Sequence, residues 1–212
     1  SAVPFHMWTP DVYEGAPTSI TAFFAIVPKI SAVAIIYRFC LEPFANFYSE
    51  WSQIIIFLSI ASMFLGAVAA LRQNNIKRLL AYSSIGHVGY VLIGLVSFNS
   101  SGVKGAVIYM LIYLFMNVSI FTIILSLKYK DKYIEKISEL SGLSKSKPII
   151  SISIAVIMLS MAGIPPLAGF LGKFYIFISA INAELYYLAI LGVLSSVIAA
   201  FYYLRIIKVI YF

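Results

Sequence analysis

IISISIAVIMLSMAGIPPLAGFLGKFYIFISAI, residues Ile149–Ile181, is a run of thirty-three residues with a single charge. As one straight α-helix it would be roughly 50 Å long at 1.5 Å per residue, against ~30 Å for the hydrocarbon core of a bilayer. Gly163-Ile164-Pro165-Pro166 stands near its middle. Two successive prolines supply no N–H, so the carbonyls of Met161 and Ala162 lose their helical donors. The sequence therefore predicts a membrane helix broken in two at Gly163–Pro166.

Read outward from that run, the same criterion gives five further spans: Thr18–Phe39, Trp51–Leu71, Leu79–Phe98, Gly105–Leu127 and Leu185–Leu204. Ser1–Trp8 reads as the tail of an earlier span, which would make the end of a seventh. The composition agrees with an all-α polytopic membrane protein. Hydrophobic residues are 62% of the 212 and charged residues 11%, where ordinary globular chains have roughly 45–50% and 25%. Residues 1–212 are read as one membrane domain. No charged segment precedes a short apolar one, so no signal peptide is visible, and the chain is expected to begin inside a longer polypeptide.

Other classes fall away. Cys40 is the single cysteine and cannot alone hold a zinc ion or an iron–sulfur cluster. Neither a GxGxxG nor a GxxxxGK[ST] pattern occurs, so no nucleotide site is advertised. A net charge of +7 would suit nucleic acid, but in so apolar a chain basic loops are the simpler account, and no nucleic-acid partner is expected.

Sorting the basic residues by loop tests that account. Arg72, Lys77, Arg78, Lys128, Lys130, Lys132, Lys136, Lys145, Lys147, Arg205 and Lys208 fall on one side of the predicted spans; Arg38 and Lys104 fall on the other. The positive-inside rule puts the Arg72–Arg78 and Lys128–Lys147 loops in the cytoplasm, with Asp11 and Glu14 on that side. Tyr186, Tyr187, Tyr202, Tyr203 and Trp51 stand near span ends, as in an aromatic belt.

Two cations remain, both inside spans. Lys29 is central in its span, where a lysine costs about 2.5–3.5 kcal/mol on insertion scales. Pro28 precedes it and frees the carbonyl of Phe24. Lys173 follows the Pro165-Pro166 break, flanked by Gly169 and Gly172, which permit close helix approach. An interhelical ion pair or a cap on freed carbonyls would account for such lysines. A proton carrier would too, and is preferred because no carboxylate lies in the spans.

His87 is also near mid-span. Ser83, His87 and Tyr90 recur at i, i+4 and i+7 as a polar stripe, with Ser84 and Tyr82 beside it. A histidine there suits proton exchange, or a plain hydrogen bond to a neighbouring helix. Asn117, with Tyr109 and Tyr113 one and two turns before it, extends a hydrated track or serves as interhelical glue. Lys29, His87 and Lys173 thus lie at similar depth on three helices.

The connecting segments resemble a known family. Val3-Pro4-Phe5-His6-Met7-Trp8-Thr9-Pro10-Asp11-Val12-Tyr13-Glu14-Gly15-Ala16-Pro17-Thr18 is similar to a signature of the antiporter-like N subunits of respiratory complex I, the proton-pumping NADH:quinone oxidoreductase. Asn75-Ile76-Lys77-Arg78-Leu79-Leu80-Ala81-Tyr82-Ser83-Ser84-Ile85-Gly86-His87-Val88-Gly89-Tyr90 looks like a second superfamily signature. Ala162-Gly163-Ile164-Pro165-Pro166 with Gly169-Phe170-Leu171-Gly172-Lys173-Phe174 is a third. Together they cover essentially the whole chain.

The resemblance implies an antiporter-like fold with two inverted repeats, each carrying a broken helix. Residues 1–39 would end the first repeat and 51–212 would form the second. Lys29 matches the family's central eighth-span lysine, Lys173 its twelfth-span lysine, and His87 the histidine of the linking helix. The chain would be the C-terminal part of a bacterial inner-membrane subunit, bound by lipid and by other membrane-arm subunits. NADH, flavin, iron–sulfur clusters and quinone would belong to those partners, with no cofactor, metal or redox chemistry in this chain. The family's fifth-span glutamate, seventh-span lysine and fourteenth span are not among these residues, so the chain alone is not expected to pump.

On this reading protons pass between Lys29 and Lys173 by way of His87. At ~10 Å and an effective dielectric of ~20, two like charges repel by about 1.7 kcal/mol, enough to bias such a relay but not to drive it. Other readings stand beside it: a sodium/proton antiporter subunit, a hydrogenase-linked membrane complex, and a passive structural subunit.

Overall fold

The structure, a computed structural model, describes residues 1–129 and 132–212; Lys130, one of the loop cations above, lies outside them. A short helix, α1 (Trp8–Gly15), precedes α2 (Thr18–Leu41), α3 (Tyr48–Leu71), α4 (Ile76–Val96) and α5 (Ser100–Ser126). A two-residue antiparallel ladder (Lys128–Tyr129 with Lys132–Tyr133) and a single helical turn, α6 (Leu143–Ser146), follow. The chain ends in α7 (Pro148–Ala162), α8 (Ala168–Asn182) and α9 (Tyr186–Tyr211).

Among the described residues, α2, α4, α5, α9 and the stretch from Ala45 through α3 are long and apolar enough to cross a membrane. The remaining apolar helices, α7 and α8, have fifteen residues each. At ~22 Å apiece they cross a ~30 Å core only as a pair. Every span read from the sequence thus has its helix, and the thirty-three-residue run is divided where its prolines stand. The N-terminal segment differs from the expectation: Val3–Met7 runs as turns, and helix begins only at Trp8. Pro4 gives that segment one donor fewer. Pro10 lies in the first turn of α1, where its missing N–H would be unpaired in any case.

Local chemistry sets the helix ends. Asn75 accepts at its side chain from the backbone N–H of Lys77 (2.9 Å) and Arg78 (3.2 Å), capping α4. Asn99 caps α5 through Gly102 N–H at 2.6 Å. Pro148 opens α7 at the position that needs no N–H. Gly163 closes α7 in the left-handed region (φ 85°), so that its own N–H and that of Ile164 both donate to Leu159.

Helix α4 is the axis of the molecule: α1, α2, α3, α5, α8 and α9 all pack on it, and all but a few of its residues are buried. Polar contacts tie the charged segments together at one end. Arg78 Nη1 donates to Asp11 (2.8 Å) and Glu14 (2.7 Å). Arg205 donates to the carbonyls of Leu71 and Gln73 and to Asn74 Oδ1. Ile137 N–H donates to Asn74, and Ile76 N–H to Glu135. The segments grouped by charge as lying on one side therefore share one end of the bundle. Lys77 is no loop cation, however: it is 4% exposed, donates to the Ala16 carbonyl at 3.1 Å and stands 3.6 Å from Glu135.

The halves of the broken helix meet closely at Gly169, where a Cβ would collide with the carbonyl of Ser160. Gly169→Ala is expected to destabilise the fold by at least about 2 kcal/mol, since the obstacle is backbone. Gly15→Ala, with nothing within 4 Å of the added carbon, should change stability by less than about 1 kcal/mol in either direction. Thermal unfolding of the detergent-solubilised protein reads both, and equal effects would contradict the close approach.

Candidate functional site

Lys29 on α2, His87 on α4 and Lys173 on α8 are all buried, 7%, 4% and 4% exposed. Pro165 and Pro166 lie exposed in the connection between α7 and α8. The carbonyls that they deprive of donors turn inward instead. Lys173 Nζ donates to Ala162 at 2.9 Å, to Met161 at 3.2 Å and to Ser196 Oγ of α9 at 2.8 Å. The lysine after the break thus caps the helix before it. Its ammonium also lies 4.9 Å from the centroid of the Tyr90 ring.

His87 is held by hydroxyls on both sides. Nδ1 is 2.6 Å from Tyr109 OH of α5, and Nε2 is 3.0 Å from Tyr203 OH of α9. Tyr203 OH is also 2.6 Å from Ser83 Oγ. A hydroxyl both donates and accepts, so either ring tautomer, and the doubly protonated ring, finds partners here. Among the described residues no carboxylate or carbonyl bonds the ring and locks one form, which suits a group that takes a proton at one nitrogen and gives it from the other. His87 and Lys173 also line a common small cavity, with Ser83, Tyr90, Tyr202 and Tyr203.

The predicted stripe on α4 holds. Ser83 meets Tyr203, His87 meets Tyr109 and Tyr203, and Tyr90 OH is 3.0 Å from Ser195 Oγ. Ser84 donates to Ala81 of its own helix and sits beside the hydroxyls of Tyr13 and Tyr113. The His87 and Tyr113 rings are 5.2 Å apart, centroid to centroid. Lys29, following Pro28 in α2, faces the ring of Tyr13 at 5.1 Å. Hydroxyl and aromatic groups thus run from the neighbourhood of Lys29 past Ser84 and Tyr113 to His87, and on to Lys173. Asn117 is buried, but its amide donates to Tyr113 O, one turn back on the same helix, at 2.8 Å; no hydrogen bond joins it to another helix among the described residues.

Several members of this set were not expected. Tyr202 and Tyr203, assigned to an aromatic belt, are 3% and 1% exposed, because α9 continues two turns beyond them to Tyr211. The signal was there: Ser195, Ala199, Tyr202 and Tyr203 follow one another at helical spacing, as a core-facing stripe does. Tyr186 and Tyr187 are about half exposed, as the belt reading requires. Tyr13 gave no such signal, since its partner lies on another helix.

Residues 1–199 match the family described as "NADH:quinone oxidoreductase/Mrp antiporter, TM". NADH-quinone oxidoreductase subunit N of Rhodospirillum rubrum is 59% identical over 212 residues, all of this chain and 44% of that protein. The subunit N of Pelagibacter ubique is 60% identical, likewise over all of this chain and 45% of its own length. The chain therefore spans less than half the length of these curated relatives. Among solved structures, a chain of respiratory complex I from Thermus thermophilus superposes with a TM-score of 0.84 at 35% identity, covering 99% of this chain and 45% of that one. A chain of the Mrp complex from Dietzia sp. superposes with a TM-score of 0.90 at 25% identity, over 99% of this chain and 39% of that one.

Tyr203→Phe tests the hydroxyl support of the histidine. It leaves His87 Nε2 without its partner, and loss of one buried hydrogen-bonding group costs about 1–3 kcal/mol. Tyr202→Phe, which removes a hydroxyl that does not bond the histidine, should cost less. Paired thermal melts rank the two, and a larger loss for Tyr202→Phe would contradict the assignment.

Proposed function

Because the chain belongs to the NADH:quinone oxidoreductase/Mrp antiporter transmembrane family, we propose that it forms part of a proton-translocating N-type subunit in the membrane arm of a bacterial NADH:quinone oxidoreductase. The proton carriers are Lys29, His87 and Lys173. Protons move along the membrane plane between the two lysines, with His87 as the exchange point. Ser83, Ser84, Tyr90 and neighbouring tyrosine hydroxyls keep the path polar. The break at Pro165 and Pro166 supplies the carbonyls that hold Lys173, and Pro28 loosens α2 one residue before Lys29.

One observation carries this reading: a histidine flanked by hydroxyls on both nitrogens shares a small cavity with one buried lysine, while tyrosine rings lead from it toward another on a separate helix. A purely structural core gains little from three ionisable groups at such depth, each costing several kcal/mol to desolvate. Asn117, bonded within its own helix, belongs to the support and not to the path.

The driving energy comes from quinone reduction elsewhere in the complex. NADH, flavin, iron–sulfur and quinone chemistry is assigned to partner subunits, and none to this chain. Residues 1–39 are assigned to the end of one inverted repeat and 51–212 to the next. The excess of basic residues at one end of the bundle orients that end, with the Arg72–Arg78 and Lys128–Lys147 loops, toward the cytoplasm of the inner membrane.

Lys29→Met and Lys173→Met, each made in the full-length subunit within its assembled complex, test the relay. Each should lower proton pumping and coupled NADH:quinone turnover together, by tenfold or more, with normal amounts of assembled complex. Unchanged pumping and turnover in both variants would overturn the relay in favour of a passive subunit. Transport in liposomes that requires sodium would instead favour an antiporter.

A further inference from the structure

Lys29 and Lys173 are buried alike but held differently. Lys173 gives its ammonium to three oxygens and lies over the ring of Tyr90. Lys29 Nζ has no hydrogen-bond partner among the described residues. The ring of Tyr13 faces it, 5.1 Å from nitrogen to centroid. A ring face within about 6 Å attracts an ammonium through its quadrupole, most strongly where water is excluded. Lysine over tyrosine therefore occurs at both ends of the buried path.

Tyr13 is not carried by a spanning helix. It belongs to α1, eight residues long, and is fully buried there. Asp11 and Glu14, three residues apart and so neighbours on one helix face, lie on the outer side. Both bond a single nitrogen, Arg78 Nη1 at the start of α4. Thr21 Oγ1 donates to Tyr13 O at 3.2 Å, and Lys77 Nζ to Ala16 O at 3.1 Å. The Arg78 clamp thus fixes the rotation of α1 about its axis. That rotation decides whether the Tyr13 ring faces Lys29.

We infer that Tyr13 is a positioning residue for proton carriage by Lys29: its ring is the resting place of the ammonium, and the Arg78–Asp11–Glu14 clamp at the bundle's end holds the ring there. The inference rests on Lys29 being a proton carrier, as proposed above. It assigns work to a helix outside the spans and gives the ion pairs at one end of the molecule a hold on a charge in its middle.

The test is a mutant cycle in the full-length subunit within its assembled complex, reading proton pumping, NADH:quinone turnover and the amount of assembled complex on native gels. Tyr13→Leu, which removes the ring, should reduce pumping about tenfold. Tyr13→Phe, which keeps the ring and loses only the hydroxyl, should retain more than half. In a Lys29→Met background Tyr13→Leu should add no further loss, because the ring acts only through that lysine. Normal pumping in Tyr13→Leu while Lys29→Met is impaired would overturn the inference and leave the relay standing. So would a loss from Tyr13→Leu that persists undiminished beside Lys29→Met. If Lys29→Met itself pumps normally, relay and inference fall together. Should Tyr13→Leu not assemble, Asp11→Asn with Glu14→Gln releases the clamp without touching the core. That variant should lose about threefold, and nothing further beside Lys29→Met; full activity, or a loss that persists beside Lys29→Met, would overturn the inference.

Discussion

Hydrocarbon offers a backbone carbonyl no partner, so a helix can break within a membrane only where protein or enclosed water supplies a donor. That constraint organises the second half of the chain. The prolines after α7 strand the carbonyls of Met161 and Ala162, and a buried ammonium eleven residues further on meets both. The exchange is mutual: the lysine needs oxygens as much as the carbonyls need a donor. Ser196 of α9 completes the set, which fixes the broken helix against its neighbour. Neither the break nor the lysine would be tolerable alone.

The same logic extends through α4. Its polar side chains are matched by hydroxyls from α5 and α9 instead of by carboxylates. Hydroxyl partners neutralise no charge and can reverse donor and acceptor. An interior built from them satisfies its hydrogen bonds without fixing where the protons are, which is what a relay requires of its walls.

Much of this architecture was legible in the sequence because hydropathy and proline act locally. The six spans, the break, the placement of Lys29, His87 and Lys173 within helices, and the Ser83–His87–Tyr90 stripe all follow from residues within one helix. The sorting of Arg72, Arg78 and Arg205 to one end followed from loop charge. What failed depended on length or on distant partners. Tyr203 looked like a belt residue because hydropathy falls near Arg205, whereas the helix itself runs on to Tyr211. Lys77 looked like a loop cation because nothing nearby reveals that Ala16, sixty-one residues earlier in sequence, would accept from it. The contact between Tyr13 and Lys29 was hidden for the same reason, the lysine sitting on the next helix.

Among the described residues, helix α4 is the least apolar of the five helices long enough to span and by far the most enclosed. Its neighbours, not lipid, are its solvent, which is why serines, glycines and a histidine are at home in it. The order of synthesis then carries a consequence. A nascent α4 alone in a bilayer would expose those groups to acyl chains, and α3, its most extensive packing partner, is also the span made immediately before it. Membrane entry of the pair as a hairpin spares α4 that exposure, so the point of greatest vulnerability in biogenesis is the interval before α5, α8 and α9 arrive to close around it.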